Sequence, residues 1–296
     1  MPAVCVILVN FKNAEKTVAC LHALEKNTVR PDSVYVIDNA STKESQEYFC
    51  SSSFSLKVNW IWNEENRGFA AACNQGIRAA LEEYAGSYVW LLNNDTEPTP
   101  TALEKLLEKA TATNAGITGS LIEKANGDFS GGVGIIHPKF ASVRRPQSAQ
   151  ESEFDYVEGS SFLISPECMQ KTGLLSEDFF LYFEESDYCY KAKRNGFTLA
   201  WATDSIILHD IGSSTGSENE KGKVPYFIDC LMIRNRIHFA NQNGFPAFSV
   251  FIGLIISLAL RIKRLQLSRV FTILKITLSK SSFKKFIEKN GGYYEI

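Results

Sequence analysis

Tyr88-Val89-Trp90-Leu91-Leu92-Asn93-Asn94-Asp95 is the stretch on which the fold turns. Five apolar or aromatic residues run without a break and give way at once to two amides and a carboxylate. An apolar run this short, with no helical spacing, predicts a strand buried on both faces. Its polar end is then a strand terminus open to a ligand. The pattern occurs three more times upstream. Val4 to Val9 predicts a strand followed by Asn10, Val34 to Ile37 one that ends at Asp38, and Lys57 to Trp62 one that leads into Asn63. A helix is predicted from near Asn13, with Val18, Leu21 and Leu24 at helical spacing, and another over Gly68 to Glu83. Downstream, Pro98 is expected to open a helix through about Lys109. Strands alternating with helices predict an α/β fold, a mostly parallel sheet flanked by helices.

Ligands of such sheets bind beyond the carboxyl ends of the strands. The polar residues to inspect are therefore Asn10, Asp38-Asn39, Asn63 to Arg67 and Asn93-Asn94-Asp95. Beyond Ile117 the pattern loosens into a Gly-rich stretch, Gly127 to Gly134, and a polar connection, Arg144 to Glu153, that reads as a mobile loop.

At 296 residues and 45% hydrophobic content, the chain can bury a large core, so disorder is not expected. Its net charge of -2 hides an uneven distribution. Residues 1 to 229 hold 20 basic and 31 acidic side chains, a balance of 20 − 31 = −11, whereas ten basic and no acidic residues lie between Asp229 and Glu288. An acidic body with a basic tail points toward an anionic surface, and nucleic acid is not an expected partner. Seven cysteines without a C-x-x-C pair fit free thiols in a reducing compartment. The N-terminus shows no export signal, which places the body in the cytoplasm.

Three constellations carry chemistry. Asp95, after a strand, can coordinate a hard divalent cation that holds diphosphate oxygens; the alternative is a cap for the helix near Pro98. Phe179-Phe180-Leu181-Tyr182-Phe183-Glu184-Glu185-Ser186-Asp187-Tyr188-Cys189 sets three acids among aromatics, where desolvation would raise a carboxylate pKa and suit it to act as a base; the alternative is a solvated charge run. His209 follows the apolar run Ser205 to Leu208 and precedes Gly212-Ser213-Ser214. It reads as a satisfied structural imidazole or as a ligand.

Taken in order, these segments resemble the inverting glycosyltransferases of family two, with the GT-A fold, a Rossmann-like nucleotide-binding architecture. The resemblance covers roughly residues 3 to 215. It rests on Val6-Ile-Leu-Val-Asn-Phe, Val36-Ile-Asp-Asn-Ala-Ser, Asn66-Arg-Gly-Phe-Ala-Ala-Ala-Cys-Asn-Gln-Gly, Leu91-Leu-Asn-Asn-Asp-Thr, Gly159-Ser-Ser-Phe-Leu-Ile, the aromatic acid cluster, and His209 to Ser214. The nearest likeness is to rhamnosyltransferase-like members that build bacterial surface polysaccharides.

The resemblance implies a nucleoside-diphosphate sugar donor, dTDP- or UDP-linked, a glycan or lipid-linked glycan acceptor, and a Mg2+ or Mn2+ cofactor. Asp38 would bond the pyrimidine base. Asn66, Arg67 and Gly68 would lie near the diphosphate, Arg67 neutralising charge and Gly68 opening a helix whose free N–H groups favour an anion. Asn10, Asn74, Asn93 and Asn94 belong to the same nucleotide-sugar site. Asp95 would ligate the metal with His209 beside it. Glu185 stands at the catalytic base position, flanked by Glu184 and Asp187. Two positions depart from the family pattern: Asn93 stands where an acid is frequent, and Glu185 where Asp is common, so that Glu185 or Glu184 removes the proton.

Residues 1–225 are accordingly expected to form the catalytic domain, with a nucleotide-sugar half over about 1–120 and an acceptor half over about 121–225. Residues 226–296 form a helical, basic appendage. Phe245 to Leu260 is apolar but shorter than the roughly 20 residues that span a bilayer. Beyond Arg261, the residues Leu267, Val270, Phe271, Leu274 and Leu278 recur at helical spacing beside Arg264, Arg269, Lys275 and Lys280. Residues 245–285 thus suit an amphipathic helix on the cytoplasmic face of an anionic inner membrane, or helices packed on the catalytic domain or on a second subunit. Two other functions compete with this reading. A dinucleotide oxidoreductase would need G-x-G-x-x-G after the first strand, where Asn10-Phe11-Lys12-Asn13 stands instead. A scaffolding subunit that binds the sugar nucleotide without turning it over is the non-enzymatic alternative.

Overall fold

The structure is a computed structural model that describes residues 3–209 and 224–291. The first half runs β1 (Val4–Asn10), α1 (Ala14–Glu25), β2 (Ser33–Asn39), α2 (Lys43–Ser51), β3 (Val58–Asn63), α3 (Phe69–Glu83), β4 (Tyr88–Asn93), β5 (Glu97–Pro98) and α4 (Ala102–Thr113). The chain continues through β6 (Ile117–Glu123), β7 (Phe129–Gly131), β8 (Val133–Ile136), β9 (Val143–Arg144), β10 (Tyr156–Val157), β11 (Ser161–Ile164), α5 (Pro166–Thr172), α6 (Glu184–Arg194) and β12 (Leu199–Leu208). Four helices follow: α7 (Tyr226–Gln242), α8 (Ala247–Lys263), α9 (Leu267–Leu278) and α10 (Lys280–Asn290).

The main sheet has the order β3-β2-β1-β4-β11-β6-β12-β5, with β7 beside β6. The β1–β2, β2–β3, β1–β4 and β6–β12 pairs are parallel, whereas β11 runs antiparallel to both β4 and β6. A smaller sheet joins β10, β8 and β9. Strand residues alternate between two cores. Cys5, Ile7, Tyr35, Ile37, Val89 and Leu91 face the side covered by α3, α6 and α7, while Val6, Leu8, Val34, Val36, Trp90 and Leu92 face α1 and α4. Burial on both faces is why these strands read as unbroken apolar runs rather than as alternating ones. The first core continues into the C-terminal helices through Phe227, Ile228, Leu231, Ile273 and Phe286.

Several expectations are corrected. Pro98 does not open a helix: Glu97–Pro98 is the edge strand β5, paired antiparallel with Leu208 and Ile207 of β12, and α4 begins only at Ala102. Thr99 precedes Pro100 and is thereby biased away from helical dihedrals, while Pro98, which lacks an N–H, is tolerated at a sheet edge. α2 was not anticipated, because only Phe49 of its residues is buried and the apolar period is faint; Thr42 caps it by accepting from the Ser45 N–H at 3.4 Å. The Gly-rich stretch after Gly127 contains strands β7 and β8. At Gly132, φ is +123°, and a Cβ would stand 2.1 Å from the Ser120 carbonyl oxygen of β6, so only glycine permits this approach. The polar connection 144–153 holds regular structure only at its start, where Arg144 closes β9, and Arg144 pairs with Glu151 at 3.5 Å.

Candidate active site

A cleft of about 680 Å³ opens at the carboxyl ends of β1, β2 and β4. The wall includes Asn39, Asn66, Gly68, Asn93, Asn94 and Asp95, together with Glu158, Glu184, Glu185, His209 and the start of α7.

Asp95 and His209 meet inside it. The His209 Nε2 lies 3.1 Å from the Asp95 Oδ1, with the side chains 7% and 4% exposed. The pairing of Glu97 with Leu208 brings them together, since it sets the residues just before β5 against those just after β12. His209 is held further by its N–H, which donates to the Glu123 carbonyl at 2.8 Å, and its Nδ1 is buried without a partner. The alternative reading of Asp95 as a helix cap fails, because α4 starts too late and Thr101 occupies its N-cap. Among the described residues no group of three or more His, Cys, Asp and Glu could hold a metal. Gly212-Ser213-Ser214 lies outside the described residues.

The acidic cluster sits at the N-terminus of α6. Tyr182 (φ 71°) and Phe183 (φ 76°) both take the left-handed conformation, which side chains of this size rarely adopt. Asn235 of α7, fully buried, holds the turn by donating from Nδ2 to the Leu181 carbonyl at 2.9 Å and the Tyr182 carbonyl at 3.1 Å. Glu184 and Glu185 line the cleft, each with one buried carboxylate oxygen lacking a partner. Burial pushes Glu185 up to about 7, and the Glu158 carboxylate adds to the rise, while nearby backbone N–H groups pull the other way. Glu184 is held well above the usual carboxylate range by burial and then by Glu185. Asp187 is turned away from the cleft: its Oδ1 accepts from Asn243 Nδ2 at 3.0 Å, and its Oδ2 lies 3.6 Å from Lys191 Nζ. The supporting catalytic role expected of it is corrected to one of tying α6 to the end of α7.

At the ends of β1 and β2, buried Asn10 donates from Nδ2 to Asp38 Oδ1 and Ser41 Oγ, both at 2.9 Å, and its Oδ1 accepts from Thr17 and Asn94. Asp38 is fully buried with its Oδ2 unpartnered, and neither it nor Asn10 forms part of the cleft wall. Asn39 does, and it donates to Asn66 Oδ1 at 2.7 Å while accepting from the Arg67 N–H at 3.0 Å. Asn66 in turn donates to the Gly291 carbonyl at 2.8 Å, so the end of α10 closes one side of the cleft. Gly68 has φ +82°, and a Cβ there would stand 2.5 Å from the Phe180 carbonyl oxygen. That carbonyl accepts from the Phe69 N–H at 2.8 Å, so one of the free N–H groups at the start of α3 is satisfied from within the protein. Arg67 is exposed and outside the cleft wall. Asn74 is buried elsewhere: its amide bonds Leu175 and Glu177 and braces the segment before the acidic cluster, a correction to its nucleotide-site assignment.

Sequence reasoning missed Glu158 and Arg145. Their Nε–Oε1 contact is 3.1 Å, both line the cleft, and burial raises the Glu158 pKa against the pull of Arg145. Glu158 directly precedes the quoted Gly159-Ser-Ser-Phe-Leu-Ile, and that adjacency was the available signal.

Comparisons with known proteins bear on the family and the fold. The low-salt glycan biosynthesis hexosyltransferase Agl10 of Haloferax volcanii is 26% identical over 211 residues, which cover 69% of this chain and 66% of that protein. GalNAc-T7, solved with UDP, GalNAc and Mn2+, superposes with a TM-score of 0.57 at 19% identity, over 71% of this chain and 43% of that one. The mannosyltransferase PcManGT from Pyrobaculum calidifontis, in complex with GDP-Man and Mn2+, gives 0.57 at 14% identity, over 96% of this chain and 83% of that one. This chain thus spans about two-thirds of the curated relative's length, and the two structural likenesses bear on the fold, which is GT-A. The model for glycosyl transferase family 2 matches residues 5–191, more than half of the chain, and the chain belongs to that family.

Proposed function

We propose that the chain transfers a sugar from a nucleoside diphosphate to an acceptor hydroxyl with inversion, and that Glu185 is the base. The observation that carries this reading is a carboxylate with a raised pKa on the same cleft as the Asp95–His209 pair. In the proposed step, Glu185 takes the proton of the acceptor hydroxyl as that oxygen bonds to the anomeric carbon. The bond from that carbon to the phosphate oxygen breaks on the opposite face, and the nucleoside diphosphate leaves. Glu185 is favoured over Glu184 because it stands at the position where the family resemblance places the base.

Asp95 and His209 fit a divalent cation. Their donor atoms lie 3.1 Å apart on the cleft wall, so the two side chains would hold the ion together. The imidazole favours Mn2+ over the harder Mg2+, and the remaining positions would fall to diphosphate oxygens and water. Bound there, the cation would neutralise charge building on the leaving diphosphate. Asn93 and Asn94 line the same cleft, with the Asn94 Nδ2 donating to Asn10 Oδ1 and Thr17 Oγ1 behind it.

The donor we favour is dTDP- or UDP-linked, with rhamnose suggested by resemblance, and the acceptor a glycan or lipid-linked glycan of a surface polysaccharide. A cytoplasmic site for the reaction is supported by seven free cysteines, six of them buried. The test is nucleoside diphosphate release from a panel of UDP- and dTDP-sugars with Mn2+. Glu185→Gln should keep donor affinity and lower turnover by about a hundredfold or more. Donor binding without release on any acceptor would instead favour the scaffolding role.

A further inference from the structure

Of the fifteen large hydrophobic side chains exposed among the described residues, ten fall between Phe248 and Leu278. They arise because α8 and α9 each bury one face only. On α8, Val250, Gly253, Ser257 and Leu258 turn inward, while Phe248 (74% exposed), Phe251, Ile255 and Ile262 recur at helical spacing on the opposite side. On α9, Ile273 and Ile276 are buried, and Phe271 and Leu278 stand outward. The turn between the helices carries Leu265 at φ 55°, 87% exposed. Apolar surface concentrated in this way marks a contact site.

We infer that the outward faces of α8 and α9 dock on an anionic lipid bilayer. Charge decides the occupant. Lys263, Arg264, Lys275 and Lys280 are exposed around the apolar face, and no acidic residue lies between Asp229 and Glu288 to offset them. A second copy meeting this face across a two-fold axis would set like charges against one another. A lipid surface accepts both components, with apolar side chains entering the acyl boundary and the cations resting at anionic headgroups. α8 has 17 residues, and no helix among the described residues is long and apolar enough to cross a membrane, so α8 lies along the surface.

α8 reaches the cleft wall at its last turn, through Arg261. Arg236 donates from Nη2 to the Gly253 carbonyl at 3.1 Å and to Ser257 Oγ at 2.8 Å, and Arg261 is held on Asp229; all three charged residues line the cleft. A docked α8 therefore places the cleft next to the bilayer, within reach of an acceptor carried on lipid. The docking itself stands on exposure and charge and does not depend on the sugar-transfer reading.

The experiment is flotation of the full chain with phosphatidylcholine vesicles with and without phosphatidylglycerol. The chain should rise with the anionic vesicles, and neutral vesicles or high salt should lower the bound fraction by about tenfold. The triple variant Phe251→Ser, Leu265→Ser, Phe271→Ser, and separately Lys263→Glu, Arg264→Glu, Lys275→Glu, should lose flotation with unchanged melting temperature. Three results would overturn the inference: wild-type chain that stays at the bottom with both vesicle types, serine variants that float equally well, or a wild-type dimer in sedimentation equilibrium that the serine variants dissociate.

Discussion

The Nε2 of His209 lies 3.1 Å from the Oδ1 of Asp95, and a two-residue edge strand sets that distance. Glu97 and Pro98 pair with Leu208 and Ile207, so each partner of the contact is anchored by the backbone of the other's strand. The β5–β12 register therefore carries both side chains to the same place.

A pair held in this way should bind metal measurably. His209→Ala and Asp95→Asn are each expected to weaken Mn2+ binding in the presence of a nucleoside diphosphate by at least about tenfold to a hundredfold, as read by calorimetric titration. Wild-type affinity in both variants would remove the pair from the metal site.

Glu185 must be ionised to accept a proton, and its pKa is raised to about 7. Turnover should consequently rise with pH through about 7 and level above it. Stability runs the other way. The folded state holds a proton on Glu185 between the ordinary glutamate pKa of about 4.3 and about 7, where the unfolded chain has released it, so stability falls as pH rises through that window. Glu185→Gln should melt higher than wild type at pH 8, with the difference shrinking toward pH 4. Because Glu158 contributes to the rise, Glu158→Gln should move the midpoint of the activity profile to lower pH; an unmoved midpoint would show that the two carboxylates do not interact.

Asn235 is expected to act on the base through the backbone. Asn235→Leu leaves the Leu181 and Tyr182 carbonyls without their donor, beside two left-handed residues that then lose their restraint. A stability loss of about 1–3 kcal/mol should accompany lower kcat. The donor dissociation constant, measured separately, should change little, and an equal loss in donor affinity would argue for general unfolding of the cleft.

Much of the fold was legible because its signals are local. β1, β2, β3 and β4 are short apolar runs ended by polar residues, and α3 begins where Gly68 supplies a conformation that other residues resist. Glu184 and Glu185 were legible for the same reason, as acids within an aromatic segment. α2 escaped because it buries a single aromatic, and β5 escaped because Pro98 carries the same letter at a sheet edge as at a helix start.

Sequence alone thus determined the α/β alternation, the strand ends where polar side chains collect, and the basic, apolar character of the C-terminal region. Only the tertiary structure decided which of those side chains share a cleft. Sheet order and the β5–β12 register brought Asp95 to His209. The fold also set Glu158 near Glu185, turned Asp187 and Asn74 to structural duty, and covered the start of α3 with Phe180. The physical reason is separation along the chain. Dihedral preference and apolar period act over a few residues, whereas these contacts depend on how whole elements pack, and no short stretch of sequence contains that information.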